Sequence, residues 1–307
     1  MLDETFKASK KALLIGIGGG GDILGCIPTA NYLRFLGVES VLGGLTWERK
    51  LVDPKPGPRM MEEIQNIRLL SDTVGLASTS TRAGDVRFTE SIVAEELGEE
   101  TILVDINKGV LGMYKGLIEA IEKFDIDLVV GIDVGGDSLA RGDEKGIRSP
   151  LADSTMLCVL KRLAENVPTF MGVLGYGCDG ELTLDELNRN VAEIARLGGL
   201  LGARGLTDED KTILERILPK THSEASALVL ESAKGGYGER TIRDGRRRLL
   251  LTHFASVTLY FDPKVVYEIS SPAKLIDKTN SLVDADRILR EAGYMTELYF
   301  EEKLAKN

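Results

Sequence analysis

Seven short apolar runs punctuate the chain, at about 11–17, 38–43, 66–71, 101–105, 127–132, 169–174 and 256–261, and read as buried strands. Between most of them lie stretches with helical spacing, at about 22–36, 89–98, 109–123, 151–165 and 183–197. Strands alternating with helices of this length predict an α/β fold. It would be a doubly wound, mostly parallel, Rossmann-like sheet with right-handed crossovers, taking in residues 1–307 as one domain.

Punctuation supports this reading. Ser149-Pro150 offers an N-cap followed by proline at the first helical position. Thr183 with Glu186, and Thr221 with Glu224, fit the capping box, so Glu224 and its neighbour His222 read as a helix start before they read as catalysts. Leu51–Pro58, with prolines at 54, 56 and 58, predicts a long surface loop near the mouth of a crevice, in the position of a lid. Ser78-Thr79-Ser80-Thr81 is polar throughout and reads as a mobile loop. Residues 199–255 break the alternation. They carry helical patterns near 207–217 and 221–233 and an Asp244-Gly245 hairpin turn, and are placed as a helical and hairpin insertion or cap.

The first strand run ends in Gly18-Gly19-Gly20-Gly21-Asp22, followed by a helical stretch. Glycines there expose backbone N–H groups, and a helix N-terminus adds positive potential, which suits a phosphate. Asp22 would repel that phosphate unless a metal ion lies between them. The same loop contains Gly16-x-Gly18-x-x-Gly21, a literal dinucleotide fingerprint. That fingerprint needs an acid at the end of the second strand, and here the strand runs into Gly43-Gly44-Leu45, with Glu48 the first acid beyond.

Two further strand ends are rich in acids. The run at 127–132 leads into Asp133-Val134-Gly135-Gly136-Asp137-Ser138, then Arg141-Gly142-Asp143-Glu144. The run at 169–174 leads into Gly175-Tyr176-Gly177-Cys178-Asp179-Gly180-Glu181, where Asp179 and Glu181 form a second tier because a helix cap at Thr183 explains them equally well. Loops leaving the carboxyl ends of parallel strands line one crevice. If Asp22, Asp133, Asp137 and Glu144 meet there, two like charges 4 Å apart repel by about 4 kcal/mol at an effective dielectric near 20, and a cation or protons must relieve them. All-oxygen ligands select Mg²⁺ or Mn²⁺. The plainer alternative is that these acids face water separately. Arg49, Lys108 and Arg141 are candidates to hold a phosphate by charge, and Ser138 by its hydroxyl.

Composition narrows the classes. The net charge of −10 argues against a general nucleic-acid binder. The basic run Arg246-Arg247-Arg248 reads as a solvated strand face. No apolar run reaches membrane length, which argues against a membrane partner. Cys26, Cys158 and Cys178 form no Cys-x-x-Cys pair, and with His222 and His253 they make no structural zinc site. Free thiols predict a reducing cytoplasm. A single glutamine, Gln65, beside abundant Glu, Lys and Arg hints at a thermophile. No Gly-x-Ser-x-Gly elbow or Gly-x-x-x-x-Gly-Lys-Ser/Thr loop is present.

The combination of Gly18–Asp22, Leu45-Thr46-Trp47-Glu48-Arg49, Gly131–Ser138 and Gly142-Asp143-Glu144 resembles an uncharacterised, largely archaeal family, DUF1152, over most of the chain. The resemblance implies an archaeal cytosolic protein and supplies no activity. More loosely, glycine loops interleaved with acids are similar to those of a separate archaeal family of manganese-dependent phosphatases acting on small molecules.

The sequence therefore predicts a metal-dependent hydrolase or phosphoryl-transfer enzyme. Mg²⁺ or Mn²⁺ would be held by Asp22, Asp133, Asp137 and Glu144, with Asp137 or Glu48 as general base. Gly18, Gly19, Gly20, Gly21, Ser138, Arg49, Lys108 and Arg141 would hold a small phosphorylated molecule or nucleotide, and Asp143, Asp179 and Glu181 stand in reserve. The alternative is a nucleotide- or dinucleotide-binding protein without catalysis. The sequence leaves open whether the chain forms a homo-oligomer.

Overall fold

A computed structural model describes residues 2–305. The first half runs α1 (Leu2–Ala8), β1 (Lys11–Gly16), α2 (Ile23–Phe35), β2 (Glu39–Leu45), β3 (Gln65–Leu69), β4 (Val74–Ala83), β5 (Val86–Arg87), α3 (Thr89–Leu97), β6 (Thr101–Val104), α4 (Gly109–Lys123) and β7 (Leu128–Val134). The second half runs α5 (Pro150–Leu163), β8 (Thr169–Leu174), α6 (Leu184–Arg196), β9 (Leu200–Gly205), α7 (Asp208–Ile217), α8 (Glu224–Ala233), β10 (Gly238–Ile242), β11 (Arg247–Leu251), β12 (Val257–Phe261), α9 (Pro263–Ile269), α10 (Ser271–Ile276), α11 (Leu282–Glu291) and α12 (Glu297–Ala305).

The strands form one mixed sheet in the order β3-β4-β6-β2-β1-β7-β8-β12-β9, with β5 paired to β4, and β10-β11 is a separate hairpin. The five central strands, β6-β2-β1-β7-β8, are parallel. Their continuous apolar runs are explained by helices on both faces. Leu13 and Ile15 of β1 pack with α5, whereas Ala12 and Leu14 pack with α2. Chain connection reverses direction between β1 and β7: β1 leads out through α2 to β2 on one side, and β7 through α5 to β8 on the other. Ligands of doubly wound sheets bind at this switch point, beyond the carboxyl ends of the strands. Close packing there depends on Gly131, where a Cβ would lie 2.4 Å from a Leu160 methyl carbon of α5.

The predicted strands and helices are present, with ends shifted by up to three residues, and three readings need correction. Ser78–Thr81 lies inside β4, where the Thr81 side chain is buried, accepts from the Ser78 N–H (2.9 Å) and donates to the Asn66 carbonyl (2.7 Å). The loop at 51–58 is pinned, because buried Asp53 takes a two-pronged ion pair from Arg59 (2.6 and 2.7 Å) and Glu301 accepts from the Gly57 N–H (2.9 Å). Helix α8 is capped by Ser223, whose hydroxyl accepts from the Ser226 N–H, so Thr221 and Glu224 form no capping box.

The stretch 199–255 is rooted in the main sheet, since β9 pairs with β12 and α7 buries Leu214 and Ile217 against α2. Only α8 and the β10-β11 hairpin stand beyond the sheet. The last four helices pack mainly around α5, which carries no exposed residue from Pro150 to Leu160. Among the described residues no helix is long and apolar enough to cross a membrane.

Candidate metal and anion site

Asp22, Asp133 and Asp153 each bring one carboxylate oxygen to within 4.8 Å of the others at the switch point. Asp22 stands just before α2 and does not cap it; its Oδ2 accepts from the Gly18 N–H (2.8 Å), which turns the carboxylate back over the sheet edge. Asp133 is the sixth residue of β7, and its Oδ2 accepts from the Gly136 N–H (2.9 Å), the Ser138 N–H (3.3 Å) and the Ser138 hydroxyl. Asp153 lies in the first turn of α5, only 3% exposed, and its Oδ1 is buried with no hydrogen-bond partner among the described residues. A buried carboxylate oxygen without a partner is costly unless a proton or a ligand relieves it.

The same pocket is lined by Asp137, Asp179, Glu181, Ser149, Arg49, Arg243, Arg247 and the His222–Ala225 segment. Seven carboxylates, counting Glu224, face three guanidiniums. The Asp137 N–H donates to Asp179 (3.2 Å), and the Ser149 hydroxyl oxygen lies 3.2 Å from an Asp137 carboxyl oxygen. Glu181 accepts from the N–H groups of Arg148 (2.6 Å) and Ser149 (3.0 Å), from the Ser149 hydroxyl, and from Arg247 (2.8 Å). Glu181 thus fastens the loop before α5 and the hairpin to the third strand end.

Electrostatics follow from this crowding. Burial pushes Asp133 well above the ordinary carboxylate range, and Asp22 and Asp179 push it further. Asp153 goes the same way through burial, Asp133 and Asp22. Asp137 does so through burial, Asp153 and Glu181. Burial raises Asp22 to about 7, although the Gly18 N–H and Arg49 pull it down. Burial and Glu181 bring Asp179 to about 6. At 4.8 Å two carboxylates repel by about 3–4 kcal/mol at an effective dielectric near 20. Three such pairs approach the whole stability of a domain, about 5–15 kcal/mol. The cluster therefore exists with protons or with a cation.

The glycine loop works differently from a bare amide cradle. The Gly18 N–H is taken by Asp22 and the Gly20 N–H by the Trp47 carbonyl (2.9 Å). Gly19 and Gly20 sit at φ +73° and +62°; a Cβ on Gly19 would lie 2.9 Å from the Trp47 carbonyl oxygen, and one on Gly20 2.7 Å from Arg49 Cγ. These glycines let the Trp47–Arg49 segment close over the loop. Arg49 then donates from Nη2 to the Gly18 carbonyl (2.5 Å) and lies over the Trp47 ring, 5.3 Å from its centroid.

The last helix supports both sides of the site. Glu297 accepts from the Leu151 and Ala152 N–H groups (3.0 and 2.8 Å), closing the first turn of the helix that carries Asp153. Glu301 accepts from Trp47 Nε1 (3.0 Å) and from the Gly57 N–H. Burial lowers the Arg49 pKa, but Glu297, Glu301, Asp153 and Asp22 outweigh it and keep the guanidinium charged.

Of the residues predicted from sequence, Gly18, Gly19, Gly20, Asp22, Arg49, Asp133, Asp137, Asp179 and Glu181 share this pocket. Gly21 packs beside it, where a Cβ would lie 2.9 Å from Ser223 Cβ. Ser138 is buried and serves Asp133 by its hydroxyl. Five residues lie elsewhere. Glu48 is buried beneath α3 and accepts from the Thr89 N–H (2.5 Å), beside the buried Glu90. Glu144 accepts from Asn190 (2.6 Å) and from the N–H groups of Arg141 and Gly142, which outweigh burial and hold its pKa below the ordinary value. Asp143 is exposed near Arg141 and Arg189. Arg141 pairs with Glu193 (2.6 Å). Lys108 follows β6, two strands from β1 and so about 10 Å away, and reaches Asp72 at the surface.

Sequence reasoning missed Asp153, Arg243 and Arg247. Asp153 lacks a glycine neighbour and looks like an ordinary first-turn acid; its one signal is that it is the sole charged residue in the first three turns of α5. Arg247 differs from Arg246 and Arg248 only through strand alternation, which turns it inward while they face out.

The chain belongs to DUF1152, a family described as proteins of unknown function, whose profile matches residues 13–305. No curated protein and no solved structure matches it.

Proposed function

We propose that this protein is a divalent-metal-dependent enzyme that hydrolyses or transfers the phosphoryl group of a small phosphorylated molecule. The observation that carries this reading is the meeting of Asp22, Asp133 and Asp153, with the Oδ1 of Asp153 buried and unpartnered. Three carboxylates and no nitrogen or sulfur ligand favour a hard ion, Mg²⁺ or Mn²⁺. Such an ion would supply charge to polarise a phosphoryl oxygen and to acidify a bound water.

The protein's own groups complete the chemistry. Asp137 is half-buried at the same pocket, with the Ser149 hydroxyl on one of its oxygens. Its raised pKa falls when a cation neutralises its neighbours, which frees it to take a proton from water as general base. Arg49 faces the cluster with charge that would stabilise the oxygens of a transferring phosphoryl group. A dinucleotide reading is weaker, because Glu48, the acid that would bind ribose, is turned onto the Thr89 N–H. Three free, buried cysteines fit a reducing cytoplasm.

The test is phosphate release from a panel of small phosphate esters with Mg²⁺, Mn²⁺ or EDTA. The expected result is metal-dependent release that EDTA abolishes and that Asp153→Asn lacks. Metal binding without turnover of any ester would favour the non-catalytic binding protein. Turnover indifferent to EDTA would contradict the metal.

A further inference from the structure

Two of the three pocket guanidiniums, Arg49 and Arg243, keep N–H donors that no described group accepts. Arg247 is fully engaged, donating from Nη1 to the Asp179 carbonyl (3.0 Å) and pairing through Nη2 with Glu181 (2.8 Å). Arg243 is held by its backbone instead: its N–H donates to both oxygens of Glu224 (3.1 Å each), and the turn places Arg243 and Asp244 at φ +55° and +56°. Its guanidinium comes no nearer than 3.6 Å to Glu224 and makes no hydrogen bond among the described residues. Arg49 Nη1 is buried with no partner among the described residues.

We propose that Arg49 and Arg243 form the phosphoryl subsite of this pocket, and that the ligand is a phosphate monoester whose phosphoryl group lies between them and the Asp22–Asp133–Asp153 cluster. The proposal rests on the metal-dependent reading above and adds the substrate class. The oxygen count decides it. A monoester has three free phosphoryl oxygens, one for a cation and one for each guanidinium, whereas a diester has two and a carboxylate has two in a plane. Each guanidinium meets its oxygen with a charge-assisted N–H donor, Arg49 through its free Nη1. The pocket offers about 60 Å³, room for a few waters or one small oxyanion. The rest of the ligand would then extend past His222 and Ser223. Burial, Arg49 and Arg247 all lower the Arg243 pKa, so the guanidiniums repel one another, and an anion between them relieves it. The hairpin brings its own charge to the site, as a closing element does.

Calorimetric titration of inorganic phosphate, phenyl phosphate and diphenyl phosphate, each with and without saturating Mg²⁺, tests this. Phosphate and the monoester should bind the metal-loaded protein, with the diester about tenfold weaker or worse. Arg243→Gln should lower phosphate affinity about tenfold or more while leaving Mg²⁺ affinity and the melting temperature unchanged; Arg248→Gln, on the outer side of the hairpin, should change neither. Arg243→Lys, which keeps the charge and loses the fork, covers the case of a misfolded Arg243→Gln. Equal phosphate affinity in the wild type and the Arg243 variants, equal affinity for monoester and diester, or no phosphate binding at all would overturn the subsite. Where Mg²⁺ does not bind the wild type, Mn²⁺ takes its place; failure of both ions would instead overturn the metal reading, and the metal-free titrations would still judge the arginines.

Discussion

A carboxylate oxygen of Asp22 lies within 4.8 Å of one on Asp153, although the helices that carry or follow these residues pack on opposite faces of the sheet. The meeting is a consequence of topology. The chain leaves β1 towards one face and β7 towards the other, and only above the gap between them do both helix starts look into the same space.

Ser138 aims Asp133 without reaching the pocket itself. Removing its hydroxyl donor in Ser138→Ala should weaken Mg²⁺ or Mn²⁺ binding by about tenfold or more, the usual cost of losing a partner behind a metal ligand. Folding stability should fall by only about 1 kcal/mol. Metal titration beside urea unfolding separates the two effects.

Asp137 and Glu48 were equal candidates for general base by sequence, and their surroundings now separate them. Asp137→Asn should lower kcat by about 10²–10⁴-fold. Glu48→Gln can still accept from the Thr89 N–H and should leave kcat within about threefold. Steady-state kinetics on the best ester from the panel decides, and a Glu48→Gln enzyme as dead as Asp137→Asn would reverse the assignment.

Glu301 ties the last helix to the chain's one tryptophan and to the pinned loop. Glu301→Ala leaves the Trp47 and Gly57 donors unsatisfied and should cost about 2–4 kcal/mol. Glu301→Gln keeps an acceptor oxygen and should cost less. Trp47 fluorescence during urea unfolding reads both.

In EDTA, the raised pKa values of Asp22 (about 7), Asp179 (about 6) and Glu297 (about 7) set the pH dependence. An acid whose folded pKa exceeds its unfolded one stabilises fully below the unfolded value, near 4, and loses that contribution as pH rises through the folded value. The metal-free melting temperature should therefore fall between about pH 5 and pH 8, by at least about 4 °C. Metal should restore more at pH 8 than at pH 5, because binding displaces protons. A flat or rising metal-free profile would contradict the clustered acids.

Much of the fold was legible because strands buried on both faces read as unbroken apolar runs, and Asp133 and Asp137 fall at the pocket because strand ends point to the crevice. That rule gives position and not direction. Glu48 and Glu144 satisfy it equally, yet one turns beneath α3 and the other is clamped by Asn190 and two backbone N–H groups. Asp153 was hidden because its importance comes from a helix start arriving from the opposite face, which no local pattern records. β4 was misread because its far half is polar; the strand is held there by Thr81 and its pairing with β3 and β5.

The most direct measurement is calorimetric titration of Mn²⁺ and Mg²⁺ into the metal-stripped protein at pH 7.5, with Asp153→Asn beside it. Binding of one or the other ion to the wild type, weakened about tenfold or more in Asp153→Asn, is the expected result. No binding of either ion, or equal binding by the variant, would contradict a metal centre built by Asp22, Asp133 and Asp153.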